Sequence, residues 1–140
     1  MFMTVVSQII DPMNFLIILG GVILGVIFGA VPGLSSTTGI ALMLPISFTM
    51  TPVTGILFLG AIYVGGISGG LISAILIGVP GTPSSVATCF DGYPMAKNGK
   101  ASRALGVGIL STFLGTFFSV IVAMLFCPII ARYAVKLGPW

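Results

Sequence analysis

Long apolar runs dominate the chain, and the few polar stretches between them set its organisation. One run covers about residues 15–31 and stops at Pro32; a second covers about 53–79 and stops at Pro80; a third covers about 104–126 and stops at Pro128. Each is close to or beyond the roughly 20 apolar residues that a helix needs to cross a bilayer. Two shorter apolar pieces follow the first two runs, at about residues 38–50 and 84–90. At a rise of about 1.5 Å per residue neither crosses a bilayer alone, so both are expected as half-helices or re-entrant segments. Residues 91–103 form the one clearly hydrophilic stretch and are expected as a loop. Residues 1–14 alternate Val5, Val6, Ile9 and Ile10 with Ser7, Gln8 and Asp11, which predicts a short interfacial helix with a turn at Asp11-Pro12. The pattern as a whole predicts an all-α fold: a single polytopic transmembrane helix bundle with two broken-helix interruptions.

Composition reinforces this reading. The sequence is 57% hydrophobic and 5% charged, whereas soluble domains carry about a quarter charged residues. Lys97, Lys100 and Arg103 form one basic cluster, and Arg132 and Lys136 form another, both at edges of apolar segments. That placement suits headgroup anchors and not a basic face for nucleic acid. The larger cluster is expected on the cytoplasmic side, which sets Arg132 and Lys136 on the other side of a single span. The chain has no histidine, which removes Ser-His catalysis and histidine-ligated zinc or haem. Cys89 and Cys127 are isolated and lack metal-ligand spacing. No Lys or Arg precedes the first apolar run, so that run is not expected to be a cleaved secretory signal.

Many of the 20 glycines recur at four-residue steps. Gly21, Gly25, Gly29 and Gly33 form one ladder; Gly66, Gly70, Ala74 and Gly78 form a second, flanked by Gly65, Gly69 and Ser73. Ser111, Gly115, Ser119, Ala123 and Cys127 make a third stripe of small residues. A four-residue step keeps small side chains on one helix face, where a neighbouring backbone can approach closely. Such ladders predict a compact bundle and say nothing of a ligand.

The two interruptions are related to one another. Val31-Pro32-Gly33-Leu34-Ser35-Ser36-Thr37 aligns with Val79-Pro80-Gly81-Thr82-Pro83-Ser84-Ser85 at a constant offset of 48. Unpaired backbone costs several kcal/mol per group in hydrocarbon, so such loops persist only when buried in protein or lining a wet cavity. Proline frees a carbonyl, glycine permits a sharp turn, and the Ser/Thr run caps the helix that follows. N–H groups, hydroxyls and the positive end of a helix dipole then point at one place, which suits an anion such as a carboxylate. Broken helices of this kind build the midplane sites of secondary transporters. The candidate binding residues are therefore Gly33, Ser35, Ser36, Thr37, Thr38, Gly81, Thr82, Ser84 and Ser85. The plainer alternative is that these hydroxyls only cap helices. Asp91 also has two readings, as the start of an Asp-Gly turn or as a ligand for a coupling cation. No metal site is indicated, and Gly99-Lys100 lacks the spacing of a phosphate-binding loop.

Gly29-Ala30-Val31-Pro32-Gly33-Leu34, Gly39-Ile40-Ala41-Leu42-Met43-Leu44-Pro45, Pro80-Gly81-Thr82-Pro83 and above all Asp91-Gly92-Tyr93-Pro94-Met95-Ala96-Lys97 resemble the large permease subunit of tripartite tricarboxylate transporters. The resemblance runs from about Gly21 to the C-terminus. It implies a non-enzymatic importer of carboxylates such as citrate in the bacterial cytoplasmic (inner) membrane. It also implies a small membrane subunit and a periplasmic solute-binding protein as partners, with an Na+ or H+ gradient and no other cofactor. Members of that family are several times longer, with a second half bearing its own Pro-Gly loop. The chain is accordingly expected to be the N-terminal part of a permease. A non-transporting membrane scaffold, or a truncated and inactive permease fragment, is the competing expectation.

Overall fold

The computed structural model describes residues 11–136, and within them every regular element is helical. The order is α1 (Pro12–Ala30), α2 (Ser36–Ser47), α3 (Pro52–Leu76), a single 3₁₀ turn (Pro83–Ser85), α4 (Val86–Met95), a distorted turn (Ala96–Lys100) and α5 (Ala101–Lys136). Three helical stretches are long and apolar enough to cross a membrane: Pro12–Ala30, Pro52–Leu76 and Pro83–Cys127. Residues 1–10, which carry most of the expected interfacial helix, lie outside the described residues.

Local chemistry explains where the helices start. The Asp11 carboxylate caps α1 by accepting from the Met13 N–H at 3.4 Å, and Pro12 takes the first helical position, where no N–H is needed. The expected Asp11-Pro12 turn is thus the helix cap itself. Thr51 and Pro52 repeat the device at α3, with the Thr51 hydroxyl accepting from the Thr54 N–H at 3.4 Å. The twelve residues of α2 span about 18 Å, short of the roughly 30 Å hydrocarbon core.

Contacts along α3 define the directions of its neighbours. Asn14 accepts a 3.0 Å hydrogen bond from Thr54, Gly21 lies against Phe58 and Ala61, and Gly25 lies against Ile62. The pairing advances in step, so α1 and α3 run in the same direction. Ser36 meets Gly66, Gly39 meets Ile62, and Ser47 meets Gly55. This pairing runs backwards, so α2 returns antiparallel between them. Thr82 meets Gly70, Gly92 meets Ile75, and Tyr93 meets Gly78, so α4 climbs obliquely in the sense of α3.

The glycine ladders account for the closeness of this packing. A Cβ on Gly25 would run into the Ile62 carbonyl oxygen, and one on Gly29 into the Gly66 carbonyl oxygen. In return, a Cβ on Gly65 would strike the Val22 carbonyl oxygen, and one on Gly69 the Val26 carbonyl oxygen. Gly33 stands apart from its ladder: it is exposed, has a φ of 91° and turns the chain out of α1. The core is small and centred on α3, with Phe58, Ala61, Ile62, Ala74 and Ile75 buried.

Two segments differ from the sequence pattern. Residues 91–103, expected as a loop, are helical on both sides of a break at Asn98 and Gly99, where Gly99 takes a φ of 75°. Gly92 packs against Ile75 and Pro94 lies inside α4, so the polar string does not force an open loop. The last helix also continues past Pro128 to Lys136, since a single proline can bend a helix without ending it. Residues 106–136 lie in a separate unit made of this one helix, along which Ser111, Gly115, Ser119, Ala123 and Cys127 are exposed.

The packing yields a paired expectation. Gly25→Ala drives a methyl group into a carbonyl and should destabilise the protein by about 1–3 kcal/mol. Gly60→Ala enters open space and should be neutral or stabilising by up to about 1 kcal/mol through helix propensity. Unfolding of the two purified variants by SDS titration checks this; equal midpoints would contradict the α1–α3 interface.

Candidate functional site

The first interruption begins where α1 ends. Val31 donates to the Ile27 carbonyl at 3.3 Å, Leu34 donates back to Val31 at 3.1 Å, and Gly33 makes the turn. Ser35 then caps α2. Its hydroxyl accepts from the Thr38 N–H at 3.3 Å, and its own N–H donates to the Thr38 hydroxyl at 3.5 Å. This is a reciprocal capping box built with threonine in place of the usual acid or amide. Ser36 is buried against Gly66, where a Cβ would come within 2.5 Å of its hydroxyl oxygen. Thr37 and Gly33 are exposed.

The second interruption folds back along α3. Leu76 ends the helix, Gly78 takes a φ of 74°, and Gly81 then reaches the Gly29 carbonyl and the Ser73 hydroxyl. Thr82 sits over Gly70, where a Cβ would be 2.6 Å from its hydroxyl oxygen. Ser85 donates to the Thr82 carbonyl at 2.7 Å and accepts from the Thr82 N–H at 3.2 Å. The Thr82 hydroxyl also meets Ser84 at 3.1 Å and Ser85 at 3.3 Å. Thr82 and Ser85 are buried, and Ser84 is exposed.

The two loops are therefore brought together on one turn of α3. Gly66 carries Ser36, Gly70 carries Thr82, and Gly29 touches both Gly66 and Gly81. At about 1.5 Å per residue, Gly66 and Gly70 lie about 21 and 27 Å along an α3 axis of about 36 Å, somewhat past its middle. Because α2 runs against α3 and α4 runs with it, the two helix starts face one another across this turn. Both present first-turn N–H groups and the positive end of a helix dipole. Of the expected residues, Ser36, Gly81, Thr82 and Ser85 are buried in this junction, and Ser35 and Thr38 form the cap beside it. Gly33, Thr37 and Ser84 are exposed.

Asp91 does not start a turn. It lies within α4 and is exposed. No group of three or more His, Cys, Asp or Glu side chains comes together among the described residues.

Sequence reasoning missed the floor of the junction. Gly66 and Gly70 were visible as ladder glycines, but a four-residue step does not distinguish a face that meets a helix from one that meets a loop. Tyr93 was also missed as a packing residue. Its ring covers Gly78, where a Cβ would meet ring atoms at 2.9–3.0 Å, and Lys97 holds its amino group 5.0 Å from the ring centroid. The Asp-Gly-Tyr-Pro-Met-Ala-Lys string thus anchors the exit of α3 through Gly92 on Ile75 and Tyr93 on Gly78.

A helix bundle with three apolar stretches of membrane-crossing length belongs to the class of polytopic membrane proteins. Comparison with known families makes this specific: residues 15–140 match the tripartite tricarboxylate transporter TctA family, and the chain belongs to that family. It is 40% identical over 129 residues to an Agrobacterium vitis protein described as an uncharacterised 52.8 kDa protein in the TAR-I ttuC′ 3′ region. That match covers 92% of this chain and 26% of the relative, so the chain spans about a quarter of the relative's length. No solved structure matches it.

The Tyr93 contact can be tested against a control. Gly78→Ala and Gly99→Ala both place an L-residue in the left-handed region, at about 1–2 kcal/mol each. Only Gly78 also faces a ring, whereas nothing lies within 4 Å of Gly99. Gly78→Ala should therefore be the more destabilising by about 1 kcal/mol or more, read from SDS unfolding midpoints. Equal losses would remove Tyr93 from the anchor.

Proposed function

We propose that this chain is the N-terminal part of a permease that carries carboxylates across the bacterial cytoplasmic membrane, driven by a gradient of Na+ or H+. The single observation that carries the reading is the meeting of two related loops on one turn of α3 with their helix starts opposed. An anion between two helix N-termini gains from both dipoles and from N–H groups that have no intrahelical partner. A carboxylate fits better than a cation there, because the junction has no acidic side chain: Asp11 and Asp91 are the chain's only acids, and neither contributes to it. The candidate binding residues remain Gly33, Ser35, Ser36, Thr37, Thr38, Gly81, Thr82, Ser84 and Ser85, with Asp91 as a candidate for ion coupling.

Family membership supports the wider assembly. In this reading the permease works with a small membrane subunit and a periplasmic solute-binding protein, and the rest of the permease completes the translocation path. The Lys97, Lys100 and Arg103 cluster faces the cytoplasm.

The test is uptake of a labelled di- or tricarboxylate into proteoliposomes that contain the whole permease and its partners under an imposed ion gradient. Replacing Ser35, Ser36, Ser84 and Ser85 together by alanine should lower uptake by about tenfold or more, since hydrogen bonds to a charged group contribute about 1.5–3 kcal/mol each. Unchanged uptake in that variant would sink the site assignment. Stable partner binding with no uptake of any carboxylate by the unaltered protein would favour the scaffold.

A further inference from the structure

The two loops are related in sequence, but their polar groups are used differently. In the second loop the hydroxyls are consumed internally. Ser85 bonds the N–H and carbonyl of Thr82, and the Thr82 hydroxyl meets both Ser84 and Ser85. Pro83 has no N–H to offer, and the Ser85 N–H donates to the Thr82 carbonyl at 3.0 Å. The hydroxyls of this loop form a closed knot of hydrogen bonds seated on Gly70.

The first loop is left open. Ser35 and Thr38 satisfy one another, and the Gly39 N–H donates to the Ser35 carbonyl at 3.1 Å. The N–H groups of Ser36 and Thr37 then remain at the helix start without a partner in the helix. The Ser36 hydroxyl makes no hydrogen bond among the described residues, although the residue is only 4% exposed. No fully enclosed side-chain oxygen or nitrogen lacks a partner among those residues, so the Ser36 oxygen is not fully enclosed. A nearly buried hydroxyl with no protein partner is poorly hydrated, and an acceptor arriving from outside the protein completes its hydrogen bonding.

We infer that the related loops divide the work: Ser36 and Thr37 of the first loop supply the direct polar contacts to a bound carboxylate, and Thr82, Ser84 and Ser85 of the second loop are positioning residues. This assignment rests on the carboxylate reading of the junction. The Ser36 hydroxyl and the N–H groups of Ser36 and Thr37 form one donor set at the start of α2. The second loop holds its own helix start in place opposite them, contributing field and shape but no hydroxyl contact.

The experiment uses the whole permease with its partners in proteoliposomes and citrate as the probe. It has two readouts: the KM for uptake, and the shift in the unfolding midpoint of the purified permease that citrate produces. Ser36→Ala should raise KM by about tenfold or more and shrink the citrate-induced shift, with the ligand-free midpoint unchanged or higher. Ser85→Ala should lower the ligand-free midpoint and raise KM clearly less than Ser36→Ala does. Ser84→Ala, which removes a single bond from the knot, makes the same comparison if Ser85→Ala does not accumulate. A KM within about twofold for Ser36→Ala, in a permease that takes up citrate, overturns the division while leaving the carboxylate reading intact. A second-loop variant that raises KM as much as Ser36→Ala overturns it as well. If the unaltered permease shows neither uptake nor a midpoint shift with citrate or any other carboxylate, the carboxylate reading fails and takes this assignment with it.

Discussion

Gly25 and Gly29 lie directly against the carbonyl groups of Ile62 and Gly66, with no side chain between the two backbones. The rest of the first unit depends on that contact. In a bilayer, association of apolar helices brings no hydrophobic gain, and close packing must supply the attraction. Because Val22 and Val26 meet Gly65 and Gly69 in the same way, α1 and α3 dock from both sides. The pair runs in one direction, which obliges the chain between them to cross back. The short α2 makes that return, and its start is thereby set at Gly66.

The same constraint governs the polar loops. A turn such as Pro32-Gly33 leaves carbonyl and N–H groups without helical partners, and hydrocarbon cannot satisfy them. Here the Ser35–Thr38 box and the Thr82–Ser85 knot do so locally. Gly66 and Gly70 then allow both loops to settle on α3 without displacing it. Glycine thus has two separate uses on one helix. One column admits the backbone of α1, and the neighbouring column admits the hydroxyl residues of the loops.

Family membership and the fold meet at this junction. The Asp-Gly-Tyr-Pro-Met-Ala-Lys string, the most distinctive stretch in the sequence, holds no ligand-like cluster. It packs Gly92 on Ile75 and Tyr93 on Gly78, which secures the return of the second loop toward Gly29. A distinctive motif can therefore serve packing: Tyr93 covers Gly78, where the chain leaves α3.

Much of the architecture was legible in the sequence, because hydrophobic run length and proline placement act locally. The apolar runs ending at Pro32 and Pro80, the short piece between them and the caps of the Ser/Thr stretches all follow from the needs of a helix in lipid. Family membership was legible as well, through motifs such as that around Tyr93. The polar string over residues 91–103 misled for a related reason: charge and glycine signal exposure to water, but they do not forbid a helix whose small face packs against Ile75. Tertiary structure alone decided which glycine column meets which neighbour, that α1 and α3 are parallel, and that two loops 48 residues apart share one turn of α3. It also separated Ser36, buried with an unused hydroxyl, from Thr82 and Ser85, whose hydroxyls are already bonded. Sequence spacing carries the direction of a side chain around its own helix. Whether a hydroxyl finds its partner within its own loop depends on what the rest of the chain brings to it.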